Sequence, residues 1–159
     1  MAKTQRGFSL IELLIVVTII GIIASIAIPN LLASRRAANE GSAQSSLRTI
    51  FSGQATHQMT SGSGAFAPDL TTLKNLFIVD SVLGGGSKSG YSFLIVQQSG
   101  TGSSAVFGAR AIPITTSGAG KTGTRRFGLT ETGVMRGDTT LSTDPNTRAL
   151  IAAMPAVGN

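Results

Sequence analysis

The chain has 159 residues, 42% of them hydrophobic and only 13% charged, with 20 glycines and neither cysteine nor tryptophan. That much apolar content with so little charge excludes a disordered chain. The missing cysteines exclude a disulfide-stapled fold and thiolate-ligated zinc or iron–sulfur sites. The length fits one small domain, or one domain with an appendage, and the net charge of +6 is unevenly spread along it.

Between residues 8 and 33 there is one charge, Glu12, and residues 13–28 contain only Thr18 and Ser25 as polar side chains. About 20 apolar residues cross a bilayer as a helix, and residues 8–28 just reach that length. Many of them are Ile, Val or Thr, whose propensity in water favours strand. In lipid a lone strand cannot satisfy its backbone, so a membrane helix is predicted. A secretory signal shares the basic start and apolar middle. Here the run is longer, and no small-x-small cleavage site is evident. Pro29 followed by Leu31, Leu32 and Ala33 predicts a helix that continues past the membrane. Lys3 and Arg6 on one side face Arg35 and Arg36 on the other, so the positive-inside count leaves the orientation open.

The segment Gly7-Phe8-Ser9-Leu10-Ile11-Glu12 follows a short basic leader and precedes the apolar run and Ala27-Ile28-Pro29-Asn30. This combination resembles the type IV pilin and pseudopilin family over about residues 6–32. The resemblance implies a leader peptide at 1–7 and cleavage by prepilin peptidase between Gly7 and Phe8, with N-methylation of Phe8. It implies an α+β pilin fold: a transmembrane assembly helix at 8–33, an amphipathic helical half at 34–60, and a globular domain at 61–159 with a small antiparallel sheet and short helices. It also implies a single-pass inner-membrane precursor with its amino terminus in the cytoplasm, surrounded by lipid before assembly, that polymerises with itself into an extracellular helical filament. The implied partners are the prepilin peptidase, a separate assembly ATPase, an inner-membrane platform protein and an outer-membrane secretin. The expected role is structural, with no enzymatic activity, cofactor or metal. Two alternatives stand beside the surface pilus: a type II secretion pseudopilin, and a minor tip pilin acting as an adhesin or DNA-binding module.

Three residues carry the expected assembly chemistry. Glu12 lies four residues after Phe8 on the same helical face, shallow enough in the membrane to reach headgroups. In a filament core the carboxylate needs a cation, and a neighbour's Phe8 ammonium supplies one by resemblance, so the pairing gauges register. Gly21 and Pro29 bound the weakest stretch of the helix, since glycine lowers helix stability and proline removes a backbone donor. By resemblance this stretch unwinds in the filament, while an isolated subunit is expected to have a simple kink at Pro29 with the helix otherwise intact. Thr18 and Ser25 stand where the family often has alanine, and both hydroxyls can bond back to the preceding turn.

Beyond Pro29, Ala43, Leu47, Phe51, Ala55 and Met59 recur at i+4 beside Ile50, which predicts an apolar stripe. The helix is expected to end at residues 61–64, Ser-Gly-Ser-Gly. Sixteen of the 20 glycines follow residue 60, which reads as strands and turns. A short helix capped by Asp69 or Thr71 is expected to run through Leu76, with turns at 84–86 and 89–90. Strands are expected at 91–97, 105–112, 125–129 and 134–136, the last two joined by a hairpin loop at 130–133. Asp144 is expected to cap a helix at 145–154 with Pro145 in its first turn.

Rival chemistries find little footing. Gly118-Ala119-Gly120-Lys121-Thr122 ends like a P-loop, but position 115 is threonine where that motif needs glycine, so it reads as a loop. Asp138, Asp144 and Asn146 offer oxygens, but not at calcium-loop spacing; turn and cap roles are expected. His57, the single histidine, has no visible catalytic partner and is expected on the surface. Arg125, Arg126 and Arg136 raise the question of DNA. Pairing Leu129 with Val134 would put Arg125 and Arg136 on one face and Arg126 on the other. With one tyrosine in the chain there is little to stack bases on, so at most a weak electrostatic affinity is expected.

Overall fold

The apolar run and the amphipathic stretch belong to one helix. The computed structural model, which describes residues 7–141 and 143–157, carries α1 (Leu10–Thr60) through both Gly21 and Pro29 without a break. This is the intact helix expected of an isolated subunit. Residues 1–6 of the expected leader lie outside the described residues. The chain divides into two compact units, the first ending at Arg35 and the second beginning at Arg36.

In the first unit every Phe, Leu, Ile and Val from Phe8 to Leu31 is exposed.

In the second unit α1 buries one face, made of Ala43, Ser46, Leu47, Ile50, Gly53, Gln54 and His57. The strict i+4 row expected from sequence is corrected here: Phe51 and Ala55 are only partly buried, and Met59 is exposed. Each four-residue step overshoots a full turn by about 40°, so such a row rotates off the contact face. A mixture of three- and four-residue steps keeps it facing the core. After Thr60 the amide groups of Ser61 and Gly62 both donate to the His57 carbonyl, at 3.0 and 2.7 Å, which closes the helix end.

Two short helices follow. The Asp69 carboxylate caps α2 (Leu70–Asn75) by accepting from the Thr72 amide at 2.7 Å. Asp80 caps α3 (Ser81–Gly84) in the same way through Leu83, at 2.9 Å. The sequence reading had not separated α3 from the glycine turn beside it. The sheet is a five-stranded antiparallel meander in the order β1 (Ser87–Lys88), β2 (Tyr91–Ser99), β3 (Val106–Pro113), β4 (Arg126–Thr130), β5 (Met135–Asp138). The β1–β2 turn has both central residues at positive φ, Ser89 at 49° and Gly90 at 73°, the geometry a two-residue hairpin requires. A bulge between Ile95 and Gln97 shifts the β2–β3 register.

The sheet has two unlike faces. Tyr91, Phe93, Ala109, Ala111, Phe127, Leu129 and Met135 join the core with Ala43, Leu47 and Ile50 of α1. Phe107 anchors it, its ring centroid 4.7 Å from that of Phe66 and 6.3 Å from that of Phe51. The other face carries Arg110, Gly128 and Arg136 side by side and is covered by α4 (Arg148–Ala153). Ile151 is fully buried there. A Cβ on Gly128 would lie 2.6 Å from Ile151 Cγ2, and one on Gly108 would lie 3.3 Å from Ile151 Cδ1, so two glycines make the seat for this side chain. The predicted helix at 145–154 is therefore shorter. Its cap is Thr147, whose hydroxyl accepts from the Leu150 amide at 3.3 Å, and not Asp144.

Candidate functional site

Ser9 begins α1. Its carbonyl accepts from the amides of Glu12 and Leu13, at 3.1 and 3.3 Å. The Glu12 carboxylate turns back and accepts from the Ser9 amide at 2.9 Å. This is the glutamate half of a capping box, in which the third helical residue satisfies an amide that the helix start leaves bare. Sequence reasoning placed Glu12 by its distance from Phe8 and passed over the Ser-x-x-Glu pattern that signals this bond. Gly7, Phe8 and Glu12 thus lie together at the exposed head of α1, with Phe8 86% exposed.

The polar groups along the apolar part are satisfied within the helix. Thr18 Oγ1 donates to the Leu14 carbonyl at 2.8 Å, and Ser25 Oγ to the Ile22 carbonyl at 2.7 Å. Both bonds are the ones expected from sequence, and they suit an apolar surrounding in which an unbonded hydroxyl is costly. A Cβ added at Gly21 would meet nothing within 4 Å, so contacts within the chain do not demand glycine there. Pro29 offers no N–H to the preceding turn.

The remaining candidates are placed differently from expectation. His57 is buried, 7% exposed, with Nδ1 3.2 Å from the Ala65 carbonyl oxygen. The surface position expected for it is corrected, because His57 falls on the same contact face as Ile50 and Gln54. Gln54, also missed, is fully buried. Its amide nitrogen donates to the Ala67 carbonyl at 3.0 Å, and its oxygen accepts from the Ala67 amide at 2.7 Å.

The arginines are corrected by one residue of register. Leu129 pairs with Met135 and Arg126 with Asp138, so Arg126 and Arg136 share the outer face and Arg125 takes the other side. The Arg125 guanidinium stands 5.4 Å from the Phe127 ring centroid. Arg126 grips Asp138 with two bonds of 2.7 and 2.9 Å and also donates to the Thr143 carbonyl. Arg136 donates to the Met154 carbonyl at 2.8 Å. These groups are engaged inside the fold and do not assemble a DNA-facing patch.

Asp138 keeps the turn role expected of it, its carboxylate accepting from the Thr140 amide at 3.0 Å, and both it and Asp144 also take arginine partners. The Asp144 carboxylate pairs with Arg110. The Arg126 hydrogen bonds hold the Asp138 carboxyl below the usual carboxylate range, against an opposing effect of burial. Arg148 does the same for Glu131. Residues 118–122 form a loop tied to α1: Asn39 donates to the Thr122 carbonyl at 2.9 Å, and Glu40 accepts from the Thr124 amide and hydroxyl at 2.7 and 2.6 Å. The buried Tyr91 hydroxyl donates to the Arg125 carbonyl at 2.8 Å beside this loop. Burial, reinforced by the Glu40 charge and opposed by Arg125, raises the Tyr91 phenol above its ordinary range.

The arrangement puts one carboxylate at the head of an exposed apolar helix, and comparison with known proteins falls on that same segment. A family described as the prokaryotic N-terminal methylation motif matches residues 2–28. The type IV major pilin protein PilA of Myxococcus xanthus is 47% identical over 50 residues, 31% of this chain and 23% of that protein. The type IV wide pilus major component PilA4 of Thermus thermophilus is 58% identical over 38 residues, 24% of this chain and 29% of that protein. The type II secretion system core protein G of Dickeya chrysanthemi is 38% identical over 47 residues, 30% of this chain and 31% of that protein. The matches span less than a third of each relative's length. No solved structure matches the chain significantly. The amino-terminal segment thus carries the N-terminal methylation motif and resembles pilus and secretion subunits alike.

Proposed function

We propose that this chain is the structural, non-enzymatic subunit of a type IV pilus. It enters the inner membrane through the first part of α1, is cut by prepilin peptidase between Gly7 and Phe8, and is N-methylated at Phe8. The observation that carries this reading is the first part of α1, whose apolar side chains are exposed and whose hydroxyls are bonded internally. Such a surface is stable only in lipid or against other helices. Assembly exchanges one for the other, so subunits pack side by side through residues 8–33. Glu12 leaves its bond to Ser9 and pairs with a neighbour's Phe8 ammonium, which selects the register, while the stretch from Gly21 to Pro29 unwinds to fit the packing. A separate ATPase drives extension through a platform protein, and a secretin passes the fibre to the outside.

The similarity to the secretion core protein over the same residues supports a second reading, a short pseudopilus within the envelope. Electron microscopy of filaments sheared from expressing cells, with mass spectrometry of the subunit, separates the two. Long fibres whose subunit begins at methylated Phe8, absent in Glu12→Ala, are expected for the pilus. Processed protein retained in the envelope without fibres would favour the pseudopilus. Uncleaved chain would overturn both.

A further inference from the structure

After β5 the chain crosses the outer face of the sheet, forms α4 and returns beside β5. Its fastening differs in kind from that of the core. Ile151 and Met154 are buried, yet they stand apart from the main hydrophobic cluster that α1 shares with β2–β5. Val157 packs against the edge of that cluster and Pro145 is buried; the remaining fastening is polar. Three neighbouring strands each contribute an arginine: Arg110 of β3 holds Asp144, Arg126 of β4 holds the Thr143 carbonyl, and Arg136 of β5 holds the Met154 carbonyl. From the segment itself, Arg148 reaches back to Glu131 beyond the end of β4. Two backbone bonds complete the closure, from Gly137 N to the Pro155 carbonyl at 2.9 Å and from Val157 N to the Met135 carbonyl at 2.8 Å.

We propose that residues 143–157 are a clasp that opens as a unit, ahead of the sheet, when its arginine pairs are weakened. Local opening follows the part of a structure with the fewest shared apolar contacts. Here most of the apolar share is Ile151 seated on Gly108 and Gly128, with Val157 at the edge of the core, and the ion pairs are partly accessible to salt. The side chains of Arg110 and Asp144 are 16% and 51% exposed, and those of Arg148 and Glu131 are 33% and 19% exposed. A cysteine-free chain thereby closes its carboxyl-terminal segment reversibly. The closed clasp also satisfies the outer edge of β5, which would otherwise present bare backbone groups to another strand.

The test is hydrogen exchange of the full chain in detergent micelles, read by mass spectrometry. In wild type, raising sodium chloride from roughly 0.05 to 1 M should speed exchange in peptides covering Gly137 and residues 147–157 about tenfold, with β2–β4 peptides unchanged. Asp144→Asn, which removes the Arg110 pair, should reproduce that loss of protection at low salt. Exchange of the segment in step with the sheet under salt would overturn the proposal, as would a segment that salt leaves untouched. The wild-type salt series decides the question even if the variant does not fold.

Discussion

Glu12→Gln separates the two jobs assigned to this residue. In the isolated chain the carboxylate accepts one bond, from the Ser9 amide at 2.9 Å. Glutamine keeps that acceptor, being the other residue type of the capping box, whereas alanine removes it. The start of α1 should therefore be the same in Glu12→Gln as in wild type, and membrane insertion should not suffer. In the proposed filament the position would be surrounded by apolar helices, and a neighbour's Phe8 ammonium would lose its counter-charge. Losing one partner of a buried ion pair costs roughly 3–5 kcal/mol. At about 1.4 kcal/mol per factor of ten, that weakens each subunit addition by roughly a hundred- to a few-thousand-fold. The assay measures precursor, processed subunit and sheared fibre in the same cells by immunoblot, with mass spectrometry of the amino terminus. Normal amounts of subunit in the membrane and almost no fibre are expected. Fibres at wild-type yield from Glu12→Gln would refute the charge argument and leave Glu12 as a helix cap.

Three further outcomes concern the second unit, with the intrinsic fluorescence of Tyr91, the single tyrosine, as reporter in urea or thermal melts of the detergent-solubilised chain. Gln54→Leu strips both backbone bonds of the buried Ala67, each worth roughly 1–3 kcal/mol when left unmade, and regains part of this through leucine burial. A net loss of about 1–3 kcal/mol is expected, and an unchanged melting curve would refute the assignment. Gly128→Ala places its Cβ 2.6 Å from Ile151 Cγ2 and should cost about 1–3 kcal/mol by overpacking, whereas Gly41→Ala, with nothing within 4 Å, should be neutral or slightly stabilising. Acid should weaken the fold in a defined direction. Asp138, Glu131 and Asp80 all have folded values held below their ordinary ones. Their contribution is therefore complete above the unfolded values near pH 4 and is lost as pH falls through the lower folded values. A stability profile flat from about pH 7 down to pH 2 would contradict those pairings.

What could be read in advance was whatever repeats locally. The apolar run, the serine and threonine back-bonds, the Asp69 cap and the glycine-punctuated strands each depend on residues a few positions apart. The misplacements have physical reasons of the same scale. The helix stripe went astray because a four-residue step drifts around the axis, and the hairpin because one residue of register exchanges the faces of Arg125 and Arg126. Asp144 looked like a cap because aspartate before proline often is one, and only the sheet brings Arg110 to it from 34 positions away. The Ser9–Glu12 bond was within reach of sequence reasoning, since the spacing alone signals it.

The two units answer to different solvents. In the first, exposed apolar side chains run along α1 from Phe8 to Leu31, and the hydroxyls of Thr18 and Ser25 bond to its own backbone. In the second, the same helix faces a sheet and becomes one-sided. Its buried polar residues, Gln54 and His57, are each matched to a specific backbone group of the connection that follows the helix. A substitution in residues 8–33 therefore acts on assembly with little effect on the domain, and one on the 43–57 face acts on the domain first. That division is what a subunit needs if it is to leave one apolar surrounding for another while its second unit remains folded.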